Sequence, residues 1–229
     1  PSTFEQTQRF CADPSQASYL REVDRLLAAP QFGERWASLW LDLARYSDSI
    51  GYEDNSERTI WEYRDWVIRA FNRDLPFDQF TIDQPAGDLL PDPSVDQLIA
   101  TAYHRNTPTR NDEEEFRIEA VMDRVANTWE VWQGQTMSCA RCHSHTYDPF
   151  RQTDFYRLMA FFNNTEDADN KGNQQVPGVP KGRALPRGGG APGAALTAFL
   201  SAVTRKDWTA TTPLLSPAAL EMFDKRYNS

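Results

Sequence analysis

Apolar positions along the chain recur at helical spacing far more often than they alternate. Leu20, Val23, Leu26 and Leu27 fall on one face of a segment that Pro30 stops. A second segment, Glu34–Asp48, gathers Trp36, Leu39, Trp40 and Leu43 into a stripe, and a third, Ile60–Asn72, carries Trp61, Trp66, Val67, Ala70 and Phe71. Shorter helices are predicted at Phe77–Gln84 and Ser94–Tyr103, on either side of the turn-rich stretch Pro85–Pro93. The longest pattern is Asp112–Gln133, where Ile118, Val121, Met122, Val125, Trp129 and Trp132 form one continuous stripe. Its first turn is acidic, which suits the positive end of a helix, and Gly134 is a natural stop. Thr153 is placed to cap a further helix with Phe155, Leu158, Met159 and Phe162 inside. No run of strict alternation appears, so strands should be few. The pattern predicts a mainly α fold, an irregular helical domain with long loops.

After residue 164 the pattern dissolves. Thr165–Pro192 is rich in Asn, Gly and Pro, with Gly188–Gly190 in a row, and reads as a linker or a long loop. Ala194–Arg205 and Pro217–Tyr227 can still form helices, the second with Ser216 as cap and Pro217 in its first position. The chain therefore divides into a helical domain, residues 1–169, and a Pro/Gly-rich linker with a C-terminal extension, residues 170–229. Both ends read as cuts within a longer protein.

Composition narrows the function. Of 229 residues, 40% are apolar and 25% charged, the balance of a globular chain. The 33 acidic residues against 24 basic ones give a net charge of −9, which argues against nucleic acid as a partner. An acidic surface also suits docking onto a basic redox partner. No apolar run reaches the roughly 18–20 residues that span a bilayer, and the best candidate, Ala194–Val203, is short. The chain begins at Pro1 without a Met, compatible with a removed leader.

The chemistry gathers in Cys139-Ala140-Arg141-Cys142-His143. A C-x-x-C-H string is the attachment signature of c-type haem. Two thiols three positions apart can reach the two vinyl groups of one porphyrin, and the adjacent histidine then falls under the iron. A thioredoxin-like pair would need a βαβ context that is missing. Zinc is the other reading, with Cys139, Cys142, His145 and His104 as four ligands of the right type but irregular spacing. Cys11, far from the motif, reads as a thiol packed as a small hydrophobe.

Three histidines leave few iron ligands. His143 takes the first axial position by motif. His145 lies too close in sequence to swing to the opposite face of the same ring, and Met137 has the same difficulty. Met122 and Met159 read as core. His104 is remote enough to approach the far face, so a bis-histidine iron of His143 and His104 is the expectation. His145, Arg141 and Tyr147 are the expected neighbours of the haem. Asp42, Arg45, Tyr46 and Asp48 could do acid–base work, but at this spacing a structural ion pair is the simpler reading.

A longer set of residues then carries a resemblance. Arg35-Trp36, Trp40 to Tyr46, Gly51-Tyr52, Tyr63 to Ile68 and Ala70-Phe71-Asn72 open it. Ala86 to Pro91, Ile99-Ala100-Thr101, His104-Arg105-Asn106, Glu119-Ala120-Val121 and Asp123-Arg124-Val125 continue it. The Cys139–His143 motif, His145, Tyr147-Asp148-Pro149 and Phe161 to Asp169 complete it. Together, over Phe4 to Asp169, they resemble the central block of a planctomycete-type cytochrome c family, large exported proteins in which this block has carried a domain-of-unknown-function label. Ser144 and Thr146 depart from the family's usual residues.

The resemblance implies one covalent haem c rather than zinc, and a periplasmic or extracellular setting. It also implies redox partners, either separate proteins or other domains of the same longer chain. Electron transfer is the leading expectation. A haem oxidoreductase, peroxidase-like or sugar-oxidising, is the alternative, and a zinc-stabilised binding module is the second alternative.

Overall fold

The computed structural model describes residues 2–49, 60–107 and 114–163, together with residues 165–166 and 185–186. Within them the fold is mainly α. Eight α-helices run in chain order: α1 Phe4–Ala12, α2 Gln16–Leu27, α3 Gln31–Leu43, α4 Trp61–Asn72, α5 Phe77–Ala86, α6 Val95–Ala100, α7 Glu114–Gln133 and α8 Gln152–Phe162. Three short 3-10 turns, Gly87–Leu89, Thr101–Asn106 and Ser138–Arg141, sit between them. A two-residue antiparallel pair, Thr165–Glu166 with Leu185–Pro186, is the strand content of the described residues. No described helix is long and apolar enough to cross a membrane. The expected helices at Ala194–Arg205 and Pro217–Tyr227 lie outside the described residues, as does most of the expected linker.

Local chemistry explains several boundaries. Sequence periodicity missed α1, which is held by a capping box in which Thr3 Oγ1 accepts from the Gln6 amide and Gln6 reaches back to Thr3. Ser94 caps α6 in the same way, and Ser15 caps α2 by accepting from the Ser18 amide alone. Helix α3 starts at Gln31, three residues earlier than expected, because Asn72 of α4 serves as its cap. The Asn72 Oδ1 accepts from the Gly33 amide at 2.8 Å, and its Nδ2 donates to the Pro30 carbonyl at 3.1 Å. At the other end, Arg45 takes a left-handed conformation, φ 57°, and closes the helix at Leu43 rather than Asp48. Helix α8 begins with the Arg151 amide donating to the Asp154 carboxylate, so Thr153 lies inside the first turn and is not the cap.

The core has two apolar clusters. The first joins α3, α4, α5 and the Thr101–Asn106 turn, with Ala37, Trp40, Tyr63, Trp66, Val67 and Phe80 at its centre. Trp40 and Trp66 both pack against Phe80, and Gln84 Oε1 accepts from Trp40 Nε1 and the Tyr63 hydroxyl inside the cluster. The second joins α7, α8 and the 3-10 turn at Ser138–Arg141 through Val121, Val125, Trp129, Met137, Phe155 and Phe162. Trp132 at the end of α7 reaches the first cluster, packing against Trp40 and Tyr103 and donating to Thr81 Oγ1. Arg45 also ties the two together through Asp123 of α7 at 2.6 Å.

The inner face of α3 differs from the expected one. Gly33, Ala37, Trp40 and Ala44 are buried, while Trp36, Leu39 and Leu43 are exposed, as are Leu20, Leu26 and Leu27 of α2. Small residues face inward because α3 and α4 approach closely at Gly33. A methyl group there would collide with the Ile68 carbonyl and lie 2.6 Å from the Asn72 side chain. Gly33→Ala should therefore destabilise the fold by about 1–3 kcal/mol, read as a lower urea midpoint. A midpoint at or above wild type would show that the two helices can move apart.

Candidate functional site

Gly134, with φ 65°, ends α7 in the left-handed region and turns the chain toward the motif. Met137 then enters the second cluster, almost fully buried, and Ala140 follows one turn later with no exposed surface. These two apolar anchors fix the rotation of the 3-10 turn. Its hydrogen bonds run from the Ala140 amide to the Met137 carbonyl at 2.9 Å, and from the Cys142 and His143 amides to the Cys139 carbonyl at 3.2 and 3.3 Å. With 137 and 140 turned inward, Cys139, Cys142 and His143 are all exposed, and neither thiol is in a disulfide. The sequence motif is thus brought together on the surface.

The tautomer of His143 follows from its neighbour. His143 Nδ1 lies 2.8 Å from the Ser144 carbonyl oxygen. A carbonyl can only accept, so Nδ1 carries the proton and the neutral ring presents its lone pair on Nε2. His145 is arranged the other way. Its Nδ1 accepts from the Asp148 amide at 3.0 Å and the Tyr147 amide at 3.4 Å, which places the proton on Nε2. Asp148 Oδ2 also lies 3.2 Å from that nitrogen, a contact that becomes an ion pair only when the ring is protonated. The half-buried His145 ring thereby shapes the loop to Phe150, whose carbonyl accepts from the His145 amide at 2.8 Å. Tyr147 stands out from that loop, 93% exposed.

His104 lies in a different setting from His143. It sits in the Thr101–Asn106 turn, where every residue is buried, and its ring packs against Phe162 and Tyr103 at 5.1 and 5.4 Å. Its Nε2 lies 3.2 Å from the Pro85 carbonyl and so donates to it, while Nδ1 is buried without a partner. Burial above all, with Arg124 adding to it, pushes the ring down from its ordinary 6.5 to about 4. The Pro85 carbonyl and the rings of Phe162 and Tyr103 hold a neutral His104 in the interior. His104 is thus buried where His143 is exposed, and Met137 and Met122 are buried in the second cluster.

The zinc set does not assemble either. Among the described residues, no group of three or more His, Cys, Asp or Glu side chains comes together in a way that could hold a metal ion. Cys11 is exposed rather than packed. Arg45 pairs with Asp123, and Tyr46 donates to Asp48 at 2.6 Å.

Sequence reasoning singled out Arg141 but missed the residues that grip the motif from behind. Arg141 makes a two-pronged pair with Glu119 of α7, Nη1 to Oε2 at 2.8 Å and Nη2 to Oε1. From α8, Tyr156 donates its hydroxyl to the Arg141 carbonyl at 2.9 Å. Gln152 Nε2 donates to the Cys142 carbonyl at 3.0 Å and to the Arg141 carbonyl at 3.3 Å. The one available signal was their spacing, two polar-tipped residues four apart, flanking the apolar stripe of α8.

Among the described residues, eight α-helices around two apolar clusters, with two exposed thiols and an exposed imidazole on one short turn, define a mainly helical domain with a surface-borne Cys-x-x-Cys-His site. The chain belongs to the PSCyt2 family, described as a protein of unknown function (DUF1549), whose profile matches residues 1–167. No curated protein and no solved structure matches it.

Proposed function

We propose that this domain is a c-type cytochrome domain, holding one haem through Cys139 and Cys142 with His143 as axial ligand, and exchanging electrons with a partner protein or another domain. The observation that carries the reading is the orientation of His143: its Nδ1–H is held by the Ser144 carbonyl, so Nε2 points a free lone pair from the exposed side of the same turn that exposes both thiols. That donor set fits a covalently attached haem, and the carbonyl partner makes Nε2 a stronger donor. When bound, haem supplies a one-electron iron couple whose potential follows its axial ligands, hydrogen bonding and exposure. The exposed turn lets a redox partner approach closely, and the net charge of −9 favours a basic one. Because thioether attachment in bacteria is coupled to export, this reading also places maturation outside the cytoplasm.

A haem oxidoreductase is the second reading, favoured by one observation. His104 is buried with its Nε2 on the Pro85 carbonyl, and His145 Nδ1 accepts from the Asp148 and Tyr147 amides, which favours an exchangeable second axial position. The ferric visible spectrum of the exported chain tests both. A low-spin spectrum supports electron transfer, a high-spin one with bound water supports the oxidoreductase, and a colourless chain overturns the haem. His143→Ala is expected to change the spin state of any haem still attached. An unchanged spectrum would remove His143 from the iron.

A further inference from the structure

A turn of five residues does not hold its own shape in water. A single helical turn fixes several backbone torsions for one or two hydrogen bonds, so it forms only where other groups support it. Here the support is specific. The last carbonyls of the turn, Arg141 and Cys142, have no amide ahead of them to accept from, because the chain leaves the turn at His143. Gln152 and Tyr156, one turn apart on α8, supply the missing donors, three hydrogen bonds between 2.9 and 3.3 Å. Both side chains are half-buried, and α8 is itself anchored in the second cluster through Phe155, Leu158 and Phe162. The Gln152 backbone N–H also donates to Ser144 Oγ at 3.4 Å, next to the carbonyl that orients His143.

We propose that Gln152 and Tyr156 are positioning residues for haem attachment: they hold the Cys139–His143 turn, before haem arrives, in the shape that puts both thiols and the histidine on one outward side. This rests on the haem reading above. Attachment asks for two bond-forming events on one rigid ring. Each thiol adds its S–H across a vinyl C=C bond, sulfur to one carbon and hydrogen to the other, with nothing oxidised, reduced or released. The first addition is insensitive to the shape of the turn. The second is not, because the remaining thiol must then meet the remaining vinyl while His143 approaches the iron, and a fixed geometry turns that encounter into an intramolecular one. Neither residue touches the ring in this account. They act through the Arg141 and Cys142 carbonyls.

The test uses the full chain, exported in bacteria that carry the c-type haem attachment apparatus, with haem itself as the probe. Covalent haem per chain is measured by mass spectrometry, and amide exchange of Cys142 and His143 is measured in haem-free protein. Gln152→Glu keeps the size but replaces the donor by an acceptor, and Tyr156→Phe removes only the hydroxyl. The double variant should lower covalent haem per chain at least five-fold, with single-thioether adducts among the remainder. Exchange at Cys142 and His143 should quicken about ten-fold while Val121 and Val125 in α7 keep wild-type rates. Tyr156→Phe alone, which keeps its ring, should show a smaller drop of about two-fold and guards against a double variant that does not fold. The fraction that does load both links should have the wild-type spectrum, which a general loss of structure would not preserve. Full double-thioether loading of a double variant whose turn exchanges faster would overturn the positioning role. A wild-type chain that takes no haem, with the turn still protected, would overturn the haem reading instead and this role with it.

Discussion

A chain in which both Cys139 and Cys142 are alanine is expected to fold as the wild type does and to carry no covalent haem. The two halves of that result come from the same geometry. Both thiols are exposed and unpaired, so their removal leaves no cavity and no orphaned partner. Surface changes of that kind usually move stability by no more than about 0.5 kcal/mol. The turn keeps its anchors, because Met137, Ala140, Gln152 and Tyr156 are untouched. Each single variant should keep one link and yield a single-thioether product that loses haem more readily under denaturing conditions. The check is intact-protein mass under such conditions beside a melting curve. A haem adduct of full mass in the double variant would place the attachment elsewhere in the chain.

The second large effect concerns His104, and it falls on stability rather than on the iron. His104→Ala removes a ring packed against Phe162 and Tyr103 and leaves the Pro85 carbonyl without its donor. A cavity and an unsatisfied buried acceptor together cost about 2–4 kcal/mol. The haem spectrum should not move. A conversion from low to high spin in this variant would restore His104 to the iron and overturn its interior role. Acid gives an independent reading of the same residue. Burial holds the folded ring at about 4 against an ordinary 6.5, so the unfolded chain binds a proton that the folded one refuses. The stability due to neutral His104 is complete above about pH 6.5 and falls as the pH drops through the interval to about 4, by roughly 3 kcal/mol in all. His104→Gln should flatten that part of the urea-midpoint profile. A slope unchanged in the variant would assign it to other groups.

The helical class and the long stripe of α7 were legible because α7 buries its apolar face continuously, from Val121 to Trp129. The motif was legible for a related reason: its chemistry is local, three residues on one turn. Helix α3 shows where such reading fails. Its large residues Trp36, Leu39 and Leu43 draw the eye to one face, but close contact with α4 at Gly33 demands small residues, and Ala37 and Ala44 go inside. Apolar size alone does not reveal which face meets a neighbour. The interior setting of His104 was hidden for a similar reason. Eliminating ligands by sequence distance treats every remote histidine as available, whereas a carbonyl such as that of Pro85, nineteen residues away, can claim one for the interior. Gln152 and Tyr156 were missed because a hydrogen bond to a carbonyl leaves no mark in the recipient's side chains.

Helix α7 belongs to two apolar clusters at once, and that shared membership has a thermodynamic consequence. The clusters are joined by the end of α7 at Trp132, by the bridge from Arg45 to Asp123, by Asn127 and Arg124 of α7 donating to the Tyr103 hydroxyl and the His104 carbonyl, and by the His104 ring against Phe162. Detaching α8 and the cysteine turn would expose the second cluster while α3, α4 and α5 keep theirs, so the free energy of that partial opening lies below that of global unfolding. Among the described residues, α3, α4 and α5 then form the more durable part, and α8 with the cysteine turn the part that yields first. Cys139 and Cys142 sit on the part that yields first. An attachment apparatus, or any partner that needs to handle the turn, would work against that smaller barrier and leave the rest of the fold as a foothold for reclosure.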